Sequence, residues 1–411
     1  MITTTATAGP AVRSRLTSID LLRGLVMIVM VLDHTRDYVH VTGLAGDPTN
    51  LATTTAMLFM TRWITHYCAP IFVFLAGVGA YLQHSRGMSL RDLSRFLATR
   101  GLWLIVLEAT VIRVTNWFNV DYSYVATLQV IWTLGVSMIV LAALIHLPLR
   151  VVAGIGVAMI VAHNAFDGVR VASWQGPGSP APSTTAKLWM VLHQPMEFFP
   201  IFGDGSPVVG VIYPLVPWLG VIAVGYACGA LYTLEPARRR ALLRRTGLGL
   251  IAAFAVIRAT NLYGDPRPWS PQSSVLFSVF SFVNTTKYPV SLLYLLMTIG
   301  PALLALAWFE GRRSPSHAEQ IVTRVGRVPL FFYLWQWPLA HGLALGVSAA
   351  AGKPIGQYFL SPPAVFAAPA SGFDLPVVYL CWAAVLAVLI PMCLWFSRVK
   401  ERNPAWWLKY L

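Results

Sequence analysis

The chain has 411 residues, of which 56% are hydrophobic and only 11% are charged, and its net charge is +14. Soluble globular domains contain about 25% charged residues, so this composition predicts a polytopic membrane protein and excludes a string of soluble domains. The four cysteines lie in apolar stretches, which argues against a disulfide framework or a zinc site, and no metal ligands are predicted.

Hydrophobic stretches of about 20 residues, long enough to cross a bilayer as a helix, recur along the sequence. They predict an all-α fold, a polytopic membrane helix bundle of about ten transmembrane helices. A further apolar stretch, 273–283, is too short to span and is expected to be interfacial or re-entrant. The predicted spans are 17–37, 65–83, 101–118, 124–145, 149–165, 208–232, 246–262, 287–308, 328–350 and 374–397.

The basic residues are distributed unevenly between the two sides of the predicted bundle. With these spans, 21 of the 30 lysines and arginines fall on the side of both termini, which should therefore be cytoplasmic. The expected organisation is a cytoplasmic tail (1–14), a single transmembrane domain (15–400) and a second cytoplasmic tail (401–411). Since the arginines are spread over short loops beside the spans, membrane lipids explain the positive charge and nucleic acid does not.

Two segments on the opposite side, 163–207 and 261–287, are long and rich in proline and glycine. Such a composition favours turns over helices. Long loops in compact proteins are usually either functional or disordered, and we expect these two to form a partly ordered lid over the outer opening.

Ionisable side chains appear at the end of the first span, where Asp33 and His34 follow an almost unbroken apolar run. Ionisable groups at membrane depth are costly and usually mark a pathway or a reaction site. A histidine can act as a general base or carry an acyl group, and a neighbouring carboxylate supports its imidazolium form. The alternative is that His34 caps the helix and reaches the interface.

Arg62 and His66 lie four residues apart at the start of the second span and therefore share a helix face. Either His66 faces the same cavity as His34 while Arg62 binds a carboxylate or phosphate, or both residues are interfacial anchors. In the third span, Glu108 and Arg113 are expected to form a structural ion pair.

Five segments carry a resemblance to a known family. Residues 15–38 (RLTSIDLLRGLVMIVMVLDHTRDY) and 61–82 (TRWITHYCAPIFVFLAGVGAYL) resemble the bacterial relatives of heparan-alpha-glucosaminide N-acetyltransferase. They are more distantly similar to membrane O-acyltransferases of the acyltransferase-3 type. Further segments agree in order, so the resemblance covers nearly the whole chain. They are 213–229 (YPLVPWLGVIAVGYACG), 286–301 (TKYPVSLLYLLMTIGP) and 326–341 (GRVPLFFYLWQWPLAH).

The resemblance implies a membrane acyl- or acetyltransferase in a bacterial cytoplasmic (inner) membrane. It would move an acyl group from cytoplasmic acetyl-CoA, or another acyl-CoA, to a sugar-like or glycoconjugate acceptor at the outer face. His34 matches the first-span histidine of the O-acyltransferases. The lysosomal enzyme uses a histidine in the following loop, where this chain offers only His40. The late motif commonly has a histidine where this chain has Gln336, and His341 follows five residues later.

Acyl transfer needs a base for the acceptor and donors for the oxyanion of the thioester. The catalytic candidates are Asp33, His34 and His66. The candidates for binding the substrate, the oxyanion or the phosphates of CoA are Arg23, Arg62, Asn284 and Lys287.

Other functions also fit the residues. A proton-coupled transporter or flippase for a small or lipid-linked substrate would use Asp33, His34 and Glu108 as a proton relay. A structural protein of the cell envelope without chemistry is the third alternative. A homo-oligomer is compatible with each of the three.

Overall fold

The structure is a computed structural model that describes residues 16–203, 205–312, 314–362, 364–403 and 405–411. The predicted tail 1–14 lies outside these residues. Helices make up most of the described chain. They are α1 (Thr17–Val39), α2 (Ala56–Thr65), α3 (Cys68–Ser85), α4 (Leu90–Leu107), α5 (Arg113–Trp117), α6 (Val130–Leu144), α7 (Leu149–Ala162), α8 (Thr184–Leu192), α9 (Leu215–Cys228), α10 (Pro236–Thr260), α11 (Val275–Val283), α12 (Leu292–Gly311), α13 (His317–Val325), α14 (Pro329–Ala350) and α15 (Leu375–Arg402).

A small three-stranded sheet accompanies the helices. Its strands are β1 (Tyr124–Leu128), β2 (Glu197–Pro200) and β3 (Val208–Val211), in the order β1-β3-β2. β1 and β3 run parallel, with Leu128 opposite Val211, and β2 runs antiparallel to β3. The carboxyl ends of β1 and β3 therefore meet at the same edge of the sheet.

The all-α prediction is confirmed for most of the chain but wrong at the sheet. The predicted spans 124–145 and 208–232 both begin with strands, and their helices start only at Val130 and Leu215. Periodicity cannot separate a short buried strand from the first turn of an apolar helix, because both read as a continuous apolar run.

The third predicted span also differs from its prediction. Its helix α4 begins at Leu90 rather than at 101, and a π-helical turn, Glu108–Ile112, separates α4 from α5. The expected Glu108–Arg113 ion pair is absent among the described residues. Arg113 instead donates hydrogen bonds to the carbonyl oxygens of Tyr124 (2.8 Å) and Asp121 (2.5 Å) and to Oδ1 of Asn119 (2.8 Å).

The two long segments that were predicted to be outer loops contain regular structure. Segment 163–207 includes α8 and β2, and segment 261–287 includes the nine-residue helix α11, which is too short to span, as predicted. Arg258 at the end of α10 donates to the carbonyl oxygens of Phe282 (2.9 Å) and Arg267 (2.7 Å), and so holds the second segment against the bundle.

Several helices are long and apolar enough to cross a membrane, which makes the chain an integral membrane protein. Among the described residues they number five: Ala56–Ser85, Leu149–Phe166, Leu215–Thr233, Leu292–Gly311 and Leu375–Arg402. α1 and α10 are of similar length but carry several charged residues. The count of ten spans and the cytoplasmic placement of the termini therefore stay predictions.

α1 is the central helix of the described bundle, and it packs against α3, α12, α13, α14 and α15. Beside it, α3 and α9 approach so closely that their backbones touch. A Cβ atom placed on Gly77 of α3 would lie 2.2 Å from the carbonyl oxygen of Ile222, and one on Gly225 of α9 would lie 2.2 Å from that of Phe74. Small residues at membrane helix interfaces permit such contacts.

Candidate functional site

Two cavities meet at the end of α1. The first, which we call the large cavity, has a volume of about 790 Å³ and extends from Arg23 to His34. The second, the polar cavity, has a volume of about 390 Å³ and is lined in part by residues of segments 163–207 and 261–287. Both are lined by the same five residues: Asp33, His34, Gln129, Tyr213 and Lys287. We call these five residues the junction.

Asp33 is the charged centre of the junction, with only 7% of its surface exposed. Its Oδ1 accepts a hydrogen bond from Arg36 at 3.1 Å, and its Oδ2 forms an ion pair with Arg62. Arg36 also pairs with Asp37 at 2.5 Å. These contacts form a largely buried network of two arginines and two carboxylates, and each charge in it has an opposite charge beside it.

His34 lies beside this network. Its Nδ1 is 3.9 Å from Oδ2 of Asp37 and has no hydrogen-bond partner among the described residues. Its ring packs against the indole of Trp337 in α14, with the centroids 3.9 Å apart. The imidazole therefore has a fixed orientation and a carboxylate near one nitrogen, while the residue lines both cavities.

His66, the other candidate base, lines the polar cavity but not the large cavity. It is 3% exposed, and its Nδ1 has no hydrogen-bond partner among the described residues. Its carbonyl oxygen accepts a hydrogen bond from the hydroxyl of Tyr294 at 2.6 Å. The predicted sharing of one cavity by His34 and His66 fits this geometry, although only His34 belongs to the junction.

Lys287 reaches the junction from the turn between α11 and α12. Asp265 holds this turn, because its carboxylate accepts hydrogen bonds from the backbone N–H of Thr286 (2.8 Å) and the hydroxyl of Ser291 (2.6 Å). The ammonium of Lys287 lies 5.3 Å from the ring centroid of Tyr288. Segment 261–287 thus supplies a cation to the junction.

The other two junction residues, Gln129 and Tyr213, follow strands of the small sheet. Gln129 directly follows β1, and Tyr213 comes two residues after β3. The backbone N–H of Tyr213 donates to the carbonyl oxygen of Leu128 at 3.1 Å, which joins the two strand ends. Neither residue was predicted from the sequence. They are far apart in sequence, so their proximity could have been predicted only by recognising that β1 and β3 form a parallel strand pair.

The far end of the large cavity is basic. Arg23 lines it and forms an ion pair with Asp20 at 3.1 Å. Arg327 also lines this end of the cavity. The structure adds Arg100 and Lys400, which no motif singled out.

The side chains of two predicted binding residues interact with other residues of the protein. Arg62 lines the polar cavity, but its guanidinium is paired with Asp33. The side-chain amide of Asn284 donates to the carbonyl oxygen of Thr49 at 2.9 Å, and Asn284 lines neither cavity. The first interaction connects α2 to α1, and the second connects the turn after α11 to the loop between α1 and α2.

The alternative histidines lie outside both cavities. His40 ends α1, where its Nδ1 is 2.8 Å from the hydroxyl of Thr42, and burial lowers its pKa. His341 stacks on Phe118, with the ring centroids 3.9 Å apart. Gln336, at the position of the late-motif histidine, is fully buried and lines neither cavity.

Comparison with known families agrees with these observations. The model of the family described as heparan-alpha-glucosaminide N-acetyltransferase, catalytic, matches residues 15–263, which is more than half of the chain. The match includes Asp33, His34, Gln129 and Tyr213 of the junction. No curated protein matches the sequence. The chain belongs to the heparan-alpha-glucosaminide N-acetyltransferase family of membrane N-acetyltransferases.

Proposed function

We propose that this protein transfers an acyl group, most simply acetyl, from acyl-CoA to a sugar-like acceptor, and that the reaction takes place at the junction. The observation that carries the proposal is that two cavities of different character share Asp33, His34 and Lys287. A donor in one cavity and an acceptor in the other would meet at these side chains.

The large cavity suits the donor. Its basic end, with Arg23, Arg100 and Arg327, offers partners for the phosphates of CoA. Along α1, the eleven residues from Arg23 to His34 rise by about 16 Å. The extended pantetheine arm would bridge this distance through the apolar middle of the cavity and present its thioester at the junction.

The polar cavity suits the acceptor. Carboxylates, guanidiniums and hydroxyls line it, including Asp37, Arg36 and Thr49. Such groups form hydrogen bonds with the hydroxyls and amine of a sugar. An acceptor bound there would receive the acyl group while CoA stays in the large cavity.

The residues of the junction supply the groups that the transfer needs. His34 takes the proton from the amine or hydroxyl of the acceptor, which attacks the thioester carbonyl carbon. A bond from the acceptor nitrogen or oxygen to the acyl carbon forms, the carbon–sulfur bond breaks, and the proton goes to the departing thiolate. Lys287 stabilises the oxyanion of the intermediate. Asp37 stabilises the imidazolium of His34 through Nδ1, which leaves Nε2 for the acceptor.

We further infer that residues 15–400 form a single transmembrane unit of about ten spans with both termini in the cytoplasm. The cavities support the single unit, because Lys287, Arg327 and Trp337, which line them, lie beyond the family match. The distribution of basic residues supports this orientation, in which the large cavity would open towards the cytoplasm. If the protein lies in a bacterial cytoplasmic membrane, the cytoplasm would supply acetyl-CoA on that side.

The test is acyl transfer by the purified protein. The protein is reconstituted into proteoliposomes with labelled acetyl-CoA outside and an amino sugar such as glucosamine inside. Transfer of the label to the sugar is the expected result. Release of unmodified sugar from the proteoliposomes, or uptake of acetyl-CoA, without transfer would support the transporter alternative and contradict the proposal.

A further inference from the structure

A cluster of two histidines and a carboxylate lies outside the junction, in the first long outer segment. His163 follows α7, Asp167 comes four residues later, and His193 ends α8. The structure brings one potential ligand atom from each residue to within 4.8 Å of the others. The sequence predicted no metal ligands, because these three residues match no spacing motif and the turns that fold the segment bring them together.

The two histidines of this cluster are buried, and the ring of His163 has no hydrogen-bond partner among the described residues. His163 is 2% exposed, and neither ring nitrogen has a hydrogen-bond partner among the described residues. His193 is 5% exposed, and its Nε2 lies 3.2 Å from Oδ1 of Asp167. Buried polar groups are nearly always paired, so a histidine without partners on both nitrogens calls for an explanation.

The surroundings fix the carboxylate as they do in metal sites. The side-chain amide of Asn164 donates to Oδ2 of Asp167 at 2.8 Å and leaves Oδ1 facing His193. The Oδ1 of Asn164 accepts from the backbone N–H of Leu292 at 2.9 Å, which connects the cluster to the start of α12. Hydrogen bonds of this kind orient the ligands of metal ions and tune their affinity.

The ligand set determines the kind of ion. Two neutral imidazoles and one carboxylate suit Zn²⁺ and similar divalent transition metals, whereas Ca²⁺ and Mg²⁺ prefer oxygen ligands. Asp167 and His193 also line a third cavity of about 200 Å³, from which water can supply a further ligand. Arg267, Thr286 and Tyr288 line both this cavity and the polar cavity.

We propose that His163, Asp167 and His193 bind a divalent transition-metal ion such as Zn²⁺. The ion joins the end of α7, the end of α8 and, through Asn164, the start of α12. It fixes the first outer segment next to the wall of the polar cavity. Its role is structural and does not depend on the reaction at the junction.

The test measures metal content and thermal stability. The protein is purified through a tag without histidines, stripped with a chelator and titrated with Zn²⁺ or Co²⁺ alone. We expect one tightly bound ion per chain and a rise of about 2 °C or more in the unfolding midpoint of the stripped protein. Co²⁺ should give the visible absorption of a tetrahedral or five-coordinate site.

Substitutions identify the ligands. His163→Ala and Asp167→Asn should each abolish the bound ion and the thermal shift, while His146→Ala and His317→Ala, which change exposed histidines, should preserve both. If the ligand variants fail to fold, the titration of the stripped wild-type protein decides alone. No stoichiometric ion in the wild-type protein, or an equal shift in His163→Ala, overturns the proposal.

Discussion

Asp33 and His34 adjoin in sequence but have different surroundings. Asp33 is enclosed by Arg36 and Arg62, whereas His34 has Asp37 on one side, Trp337 on the other and the cavities in front. The carboxylate therefore holds the helices together, and the imidazole remains available for chemistry. Their depth in an apolar span was enough to single out both residues as functional candidates. The sequence could not predict which of the two arginines would pair with which carboxylate.

Asp33→Asn should mainly reduce stability. The substitution removes one charge from a buried network and leaves Arg36 and Arg62 with too few anions, and breaking such a network costs on the order of 3 kcal/mol. Thermal unfolding in detergent measures the effect. Glu235→Gln, which changes an exposed carboxylate at the start of α10, is the control and should lower the midpoint far less. A wild-type midpoint for Asp33→Asn would show that the network does not hold the helices.

Among the elements, the helices were largely predictable and the sheet was not. An apolar run of about 20 residues has few alternatives in a membrane, so most predicted spans lie on helices. β1 and β3 are short, apolar and continuous with the helices that follow them, so that only their mutual pairing distinguishes them. Gln129 and Tyr213 depend on that pairing, and the junction was therefore predicted only in part.

The contact between α3 and α9 offers a matched test of helix packing. Gly77→Ala places a methyl group 2.2 Å from a backbone oxygen of α9. A Cβ on Gly79, two residues later in the same helix, has no described atom within 4 Å apart from its chain neighbours and the local helix backbone. We expect Gly77→Ala to destabilise the protein by about 1–3 kcal/mol. Gly79→Ala should be neutral or slightly stabilising, since alanine favours helix.

Thermal unfolding of these two glycine variants side by side is the measurement. Equal midpoints would mean that α3 and α9 do not pack backbone to backbone.

At the scale of the whole molecule, the proposed reaction depends on the orientation of the bundle in the membrane. The large cavity can take up acyl-CoA only if its basic end faces the cytoplasm. In a background without the native cysteines, Thr185→Cys in the first outer segment should react with a membrane-impermeant maleimide in intact cells. Ser314→Cys, between α12 and α13, should react only after the membrane is opened. The reverse pattern would place the basic end outside and contradict the orientation.

The central claim, that acyl transfer occurs at the junction with His34 as the base, is tested most directly by comparing the turnover of three histidine variants. The variants are His34→Ala, His66→Ala and the exposed control His317→Ala, each with its yield and unfolding midpoint measured. We expect His34→Ala to fold and to lose transfer by about 10²–10⁴-fold, while His317→Ala matches the wild type and His66→Ala loses less than His34→Ala. Full turnover in His34→Ala together with an inactive His66→Ala would contradict the claim and assign the base to His66.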